Sequence, residues 1–157
     1  MNIKLKFISE IARKYIPIYQ SGGAAAVDLA AATDKEITLC PHEVKAIPTG
    51  LAMYIEDSNV CGLIVPRSGL GTKHGIVMAN TTGVIDSDYQ GEILIYLKNM
   101  GAYNYTVYPG DRIAQMLFIP IQRIRFEAVE EFIPTERGEK GFGSTGNNWD
   151  NSGTGVF

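Results

Sequence analysis

Short apolar segments recur about every ten residues along this chain, and no long amphipathic helical pattern separates them. The candidates are Ile37–Leu39, residues 43–47, residues 51–55 and Val60–Val65. Pro41, Pro48-Thr49-Gly50 and Glu56-Asp57-Ser58-Asn59 divide them. Short strands with turn residues at this spacing predict an all-β sandwich or barrel. The missing alternation with helices argues against a Rossmann-type sheet. Ile3, Leu5 and Phe7 alternate with Lys4 and Lys6, which reads as a half-buried strand. Residues 9–15 suit a helical turn ended by Pro17. Further strands are expected at 93–97, Tyr105–Val107, 113–120 and 124–126. At 157 residues, 45% of them hydrophobic, the chain suits one domain with a real core.

Charge and cysteine usage narrow the function classes. A net charge of −3 argues against binding a nucleic-acid backbone, although a local cluster of Arg and Lys still serves an anionic substrate. Cys40 and Cys61 have no metal-ligand spacing and are expected as buried free thiols in a reducing compartment. His42 and His74 form no ligand motif. The first residues lack the apolar run of a signal peptide, and no segment is long enough to span a membrane. A cytoplasmic protein without a membrane partner is the expectation.

Four stretches carry candidate chemistry. Gly83 to Glu92 holds two carboxylates and Tyr89 between two glycines, next to the alternating strand at 93–97. It reads as a hairpin or arch with acids at its rim, although Asp, Ser, Gly and Tyr also make ordinary turns. Pro66 to Gly75 combines a guanidinium, a hydroxyl and glycines, which suits phosphate oxygens. Ser68 could cap a short helix there. The stretch lacks the Walker A spacing. Gln115 interrupts an apolar strand, and its amide needs partners, from neighbouring backbone or from a ligand. Residues 137–146 carry Arg137, Phe142 and several glycines, either as a disordered tail or as a lid that closes over a ligand.

Taken together, five motifs in order resemble the trimeric dUTP pyrophosphatase (dUTPase) family over nearly the whole chain. They are Ala26-Val27-Asp28-Leu29, then Pro66 to Gly71, then Gly83 to Glu92 with Asn80 upstream, then Pro109 to Gln115, then Arg137 to Gly146. Ala26 stands where the family commonly has Gly. The resemblance implies a jelly-roll-like (β-clip) domain over 1–136 and a flexible C-terminal lid and tail over 137–157. It implies a homotrimer whose active sites draw on more than one chain.

The implied reaction is hydrolysis of dUTP to dUMP and pyrophosphate with Mg²⁺. That reaction keeps uracil out of DNA and supplies dUMP for thymidylate synthesis. By resemblance, Asp86 holds the water that attacks the α-phosphorus. Asp28 serves the hydrated metal through water. Arg67, Ser68 and Gly69 bind phosphates, with Ser68 on the leaving side. Gln115 adds a phosphate or water contact. Arg137 holds the terminal phosphate, with Gly143, Ser144 and Thr145 of the lid assisting. Asn80 and the backbone from Gly83 onward read the edge of uracil. Tyr89 packs against the deoxyribose and leaves no room for a 2′-hydroxyl. Phe142 stacks on the base. Two other readings share the fold: a dCTP deaminase or bifunctional relative, and a protein-binding regulator.

Overall fold

The computed structural model describes residues 1–141. Contacts divide the chain into two units, Met1–Arg123 and Ile124–Phe157. The first unit contains β1 (Lys4–Phe7), a 3-10 turn (Ile11–Lys14), β2 (Val27–Ala30), β3 (Ile37–Leu39), β4 (Val44–Tyr54), β5 (Val60–Val65), α1 (Ser68–His74), β6 (Ile76–Met78), β7 (Gly83–Ile85), β8 (Glu92–Asn99), β9 (Tyr105–Val107) and β10 (Arg112–Pro120). The all-β expectation holds.

All pairings are antiparallel. One four-stranded sheet runs β1-β4-β8-β6, a second runs β2-β10-β5-β7, and β3 pairs with β9. The alternation in β8 explains its placement. Ile93, Ile95 and Leu97 are buried, while Leu94 and Tyr96 between them are exposed. Residues two apart share a face of a strand. Ile64, Leu29, Ile113 and Met116 of the second sheet join them in one core with Leu39 and Val107. Each such side chain contributes about 1.5–3 kcal/mol on burial.

Several local expectations change. The break expected at Pro48-Thr49-Gly50 is instead a bulge within β4, with a register shift against β8 between Pro48 and Ala52. Side chains replace the lost ladder bonds. The Thr49 hydroxyl donates to the Ile93 carbonyl at 2.7 Å, and the Gly50 N–H donates to Glu92 Oε1 at 2.9 Å. Gly50 adopts a left-handed backbone, which glycine enters without steric cost. A Cβ there would lie 2.5 Å from Ser9 Oγ, so glycine is required.

Ser68 does not cap α1. Arg67 occupies the cap position in extended conformation, and Ser68 is the first helical residue. Cys40 is exposed, in the turn after β3, where its N–H donates to Glu43 Oε2; Cys61 is buried as expected. The stretch from Gly83 to Glu92 is an arch, because β7 joins the β5 sheet and β8 the other.

In the second unit, residues 124–126 form no strand among the described residues. Ile124 and Phe126 are exposed there, with no ladder partner to hold them extended. No helix among the described residues is long and apolar enough to cross a membrane.

Candidate active site

The central position of β10 gathers the first cluster. Gln115 lies opposite Asp28 of β2 on one side and Val65 of β5 on the other. Three separated motifs therefore meet at one end of one sheet. The Asp28 carboxylate pairs with two guanidiniums: Arg67 Nε stands 3.1 Å from Oδ1 as an ion pair, and Arg112 donates to Oδ2 at 2.9 Å. Arg67 also donates to the Arg112 carbonyl at 2.9 Å, which closes a ring of polar contacts.

The Asp28 side chain is only 13% exposed, against 46% for Arg112. The two arginines are thus more exposed than the half-buried carboxylate between them. Ser68 and Gly69 follow at the start of α1 and are exposed. Gln115 donates from Nε2 to the Pro66 carbonyl at 3.0 Å, so neighbouring backbone does partner this amide. Burial raises the Tyr105 phenol above its usual pKa. Asp111 adds to the rise, and Arg67 opposes it.

The sequence alone gives Arg112 no role. Its motif is visible there, but its meeting with Asp28 depends on the pairing of β2 with β10. Ala26 immediately precedes β2, and Asp28 still reaches Arg67.

The second cluster is the arch. Among the described residues β7 is an edge strand of its sheet, with one side of its backbone unpaired by another strand. Asn80 lies in the exposed turn before it, with Nδ2 3.6 Å from where a Gly83 Cβ would stand. Beyond β7, Asp86 is exposed and Tyr89 folds back. The Tyr89 hydroxyl donates to the Glu92 carbonyl at 3.1 Å, and its N–H donates to the Asp86 carbonyl at 3.2 Å. A Cβ at Gly91 would lie 2.5 Å from that hydroxyl, so the ring needs glycine beneath it. Val84, Asp86, Tyr89, Ile93 and Tyr96 help line a cavity of about 260 Å³.

Asp86 of the arch and Arg67 of the first cluster stand at opposite ends of β5. Ile85 pairs with Gly62, and β7 runs antiparallel to β5, so Asp86 lies beyond Gly62 towards the start of that strand. Arg67 follows the other end of β5, which finishes at Val65. Most of the length of an extended strand therefore separates the two groups within one chain. Gly83, opposite Ile64, lies towards the Arg67 end.

Arg137 belongs to the second unit, in an exposed turn where its Nε donates to the Lys140 carbonyl at 3.3 Å. Phe142, Gly143 and Ser144 lie outside the described residues.

The donor set also bears on a metal. Among the described residues, no three His, Cys, Asp or Glu side chains gather as a cage. Each Asp28 oxygen already faces a guanidinium. An ionised carboxylate keeps further lone pairs, so Asp28 fits as an acceptor from metal-bound water. Mg²⁺ sites typically pair one or two carboxylates with substrate phosphates and several waters.

Comparison with known proteins gives a consistent answer. A family model described as dUTPase matches residues 12–146. A deoxyuridine 5'-triphosphate nucleotidohydrolase of Blochmanniella pennsylvanica is 53% identical over 129 residues, which is 82% of this chain and 87% of the relative. Among solved structures, a mutant dUTPase of Staphylococcus bacteriophage 80alpha with dUpNHpp aligns at a TM-score of 0.83 and 30% identity, over 92% of this chain and 98% of the other. A mutant dUTPase from phage phi11 of S. aureus, described with a structural Mg(II) ion, aligns at 0.76 and 26% identity, over 84% and 99%. With a family match across most of its length and a relative more than half identical, the chain belongs to the dUTPase family.

Proposed function

We propose that the protein hydrolyses dUTP to dUMP and pyrophosphate. This removes a precursor of uracil in DNA and supplies dUMP for thymidylate synthesis. The observation that carries the reading is the arch: an edge strand among the described residues, an exposed carboxylate and a tyrosine held over glycine, in a chain of this family.

Asp86 orients a water for in-line attack at the α-phosphorus. Its exposed carboxylate accepts the water's hydrogen bond. Phosphoryl transfer of this kind depends on positioning and charge neutralisation. Arg67, Ser68 and Gly69 receive the phosphates, with Ser68 on the pyrophosphate side and Gln115 adding a contact. Mg²⁺ bound to the triphosphate would neutralise charge on the leaving group. Asp28 would accept from its water shell while holding the two arginines.

Base and sugar selection follow from the arch. Backbone groups from Gly83 and the Asn80 amide face the uracil edge. Cytosine places a donor where uracil has an acceptor, and an unpaired buried group discriminates strongly. Thymine's methyl meets a filled site, where overpacking costs about 1–3 kcal/mol. Tyr89 packs on the deoxyribose and excludes a 2′-hydroxyl.

The placement of the clusters supports a site shared between chains. Asp86 and Arg67 belong to opposite ends of β5, and a single nucleotide's α-phosphorus must meet both groups. A homotrimer would bring the arch of one copy to the phosphate cluster of the next. The segment from 137 onward would act as the lid, with Arg137 on the terminal phosphate, Phe142 on the base, and Gly143 and Ser144 on phosphate oxygens. Two free cysteines, one of them exposed, fit the reducing cytoplasm.

The test is a substrate panel with Mg²⁺: dUTP, dCTP, dTTP and UTP, following pyrophosphate and nucleotide product together. Pyrophosphate and dUMP from dUTP alone are expected. Conversion of dCTP to a uracil nucleotide, or no turnover by folded protein, would overturn the proposal.

A further inference from the structure

Helix α1, which carries the phosphate-binding Ser68 and Gly69, has seven residues, and none of them is buried. Isolated helices this short do not hold themselves. Leu70 is half-buried against the core, and the rest of the helix's hold comes from its ends. At the front, Arg67 is tied to Asp28 and to the Arg112 carbonyl. At the back, Gly75 closes the helix in a left-handed conformation, and its carbonyl accepts from the Met100 N–H at 2.8 Å. Gly75 also presses on the next turn: a Cβ on it would lie 3.1 Å from the Gly101 nitrogen. The His74 ring rests on the Tyr105 ring at 5.3 Å.

That rear support is organised by one side chain. Asn99 is fully buried. Its amide donates to the Leu39 carbonyl at 3.0 Å and to the Tyr103 carbonyl at 2.8 Å, and its Oδ1 accepts from the Gly101 N–H at 2.9 Å. Its backbone N–H donates to the Glu43 carbonyl, and its carbonyl accepts from the His42 N–H. A single residue thus fixes the end of β3, the turn that follows β8, and the Gly101 nitrogen on which Gly75 rests.

We propose that Asn99 is a positioning residue for the phosphate-binding end of α1, acting through Gly101 and Gly75 at the opposite end of the helix. The inference rests on the dUTPase reading above. A tilt of a short rod at its rear moves its front, and misplacement of about 1 Å costs up to about a hundredfold in related settings. A purely fold-stabilising amide would make no such distinction between ligands.

Two variants test it. Asn99→Asp keeps the size and the acceptor for Gly101 but turns a carboxylate oxygen on the Leu39 and Tyr103 carbonyls. Gly101→Ala places a methyl 3.2 Å from Asn99 Oδ1 and 3.4 Å from the His74 carbonyl, which pushes the turn from the helix. Thermal melts establish that each variant is folded at the assay temperature. Inhibition of dUTP hydrolysis is then measured with inorganic pyrophosphate and, separately, with deoxyuridine. Pyrophosphate inhibition should weaken about tenfold, while deoxyuridine inhibition stays within about twofold. Unchanged pyrophosphate inhibition, or equal weakening for both ligands, overturns the proposal. If Asn99→Asp does not fold, Gly101→Ala decides it alone. Wild-type protein that turns over no dUTP overturns the functional reading itself, whereas active wild type with indifferent variants overturns only the role of Asn99.

Discussion

Asp28 and Arg112 should be energetically coupled, and the size of the coupling follows from the geometry. Their contact is a charge-assisted hydrogen bond of 2.9 Å. Hydrogen bonds to charged groups contribute about 1.5–3 kcal/mol when shielded. The Arg112 side chain is nearly half exposed. Solvent screening lowers the value to about 1 kcal/mol. Arg112→Gln should therefore lose about 1 kcal/mol of stability. Asp28→Asn loses contacts to two guanidiniums and should lose about 2 kcal/mol. The double variant should resemble Asp28→Asn alone, a coupling of about 1 kcal/mol. Urea unfolding at one fixed protein concentration measures all four proteins, because association shifts apparent stability. Additivity within about 0.3 kcal/mol would refute the reasoning. In the same set, kcat/KM for dUTP should fall whenever Arg67 loses its anchor.

Other consequences concern the arch and the lid. Asp86→Asn should bind a non-hydrolysable dUTP analogue normally, by calorimetry, yet lose at least about a hundredfold in turnover; near-normal turnover contradicts its role. Gly91→Ala places a methyl where the Tyr89 ring lies, so discrimination between dUTP and UTP should weaken while the fold persists. Unchanged selectivity would separate Tyr89 from sugar recognition. Deleting residues 137–157 should leave an assembled, folded protein with poor catalysis, judged by scattering and pyrophosphate release; full activity contradicts the lid.

The strand frame is legible in the sequence wherever one rule suffices. The alternation from Ile93 to Leu97 announces both a strand and its buried face. Local rules fail where distant groups intervene. Pro48 reads as a break, yet β4 continues because Glu92 and the Ile93 carbonyl meet the bulge from another strand. Residues 124–126 have the composition of a strand but no ladder partner among the described residues. Cys40 is a hydrophobe by composition and sits in an exposed turn by topology. At the site, motifs single out Asp28, Arg67 and Gln115, and their convergence comes from the central position of β10. Arg112 and Asn99 escape sequence reading for one reason. Each acts through contacts across dozens of residues, Arg112 with Asp28 and Asn99 with Leu39, which no local pattern displays.

The central claim is that each site joins the arch of one copy to the phosphate cluster of another. Two variants, Asp86→Asn and Ser68→Ala, each inactive alone, should be unfolded together in equal amounts and refolded. Random mixing in a symmetric ring gives an intact arch facing an intact phosphate cluster in about one site in four, so about a quarter of wild-type activity should return. A site confined to one chain predicts no recovery at all, and that result would contradict the account.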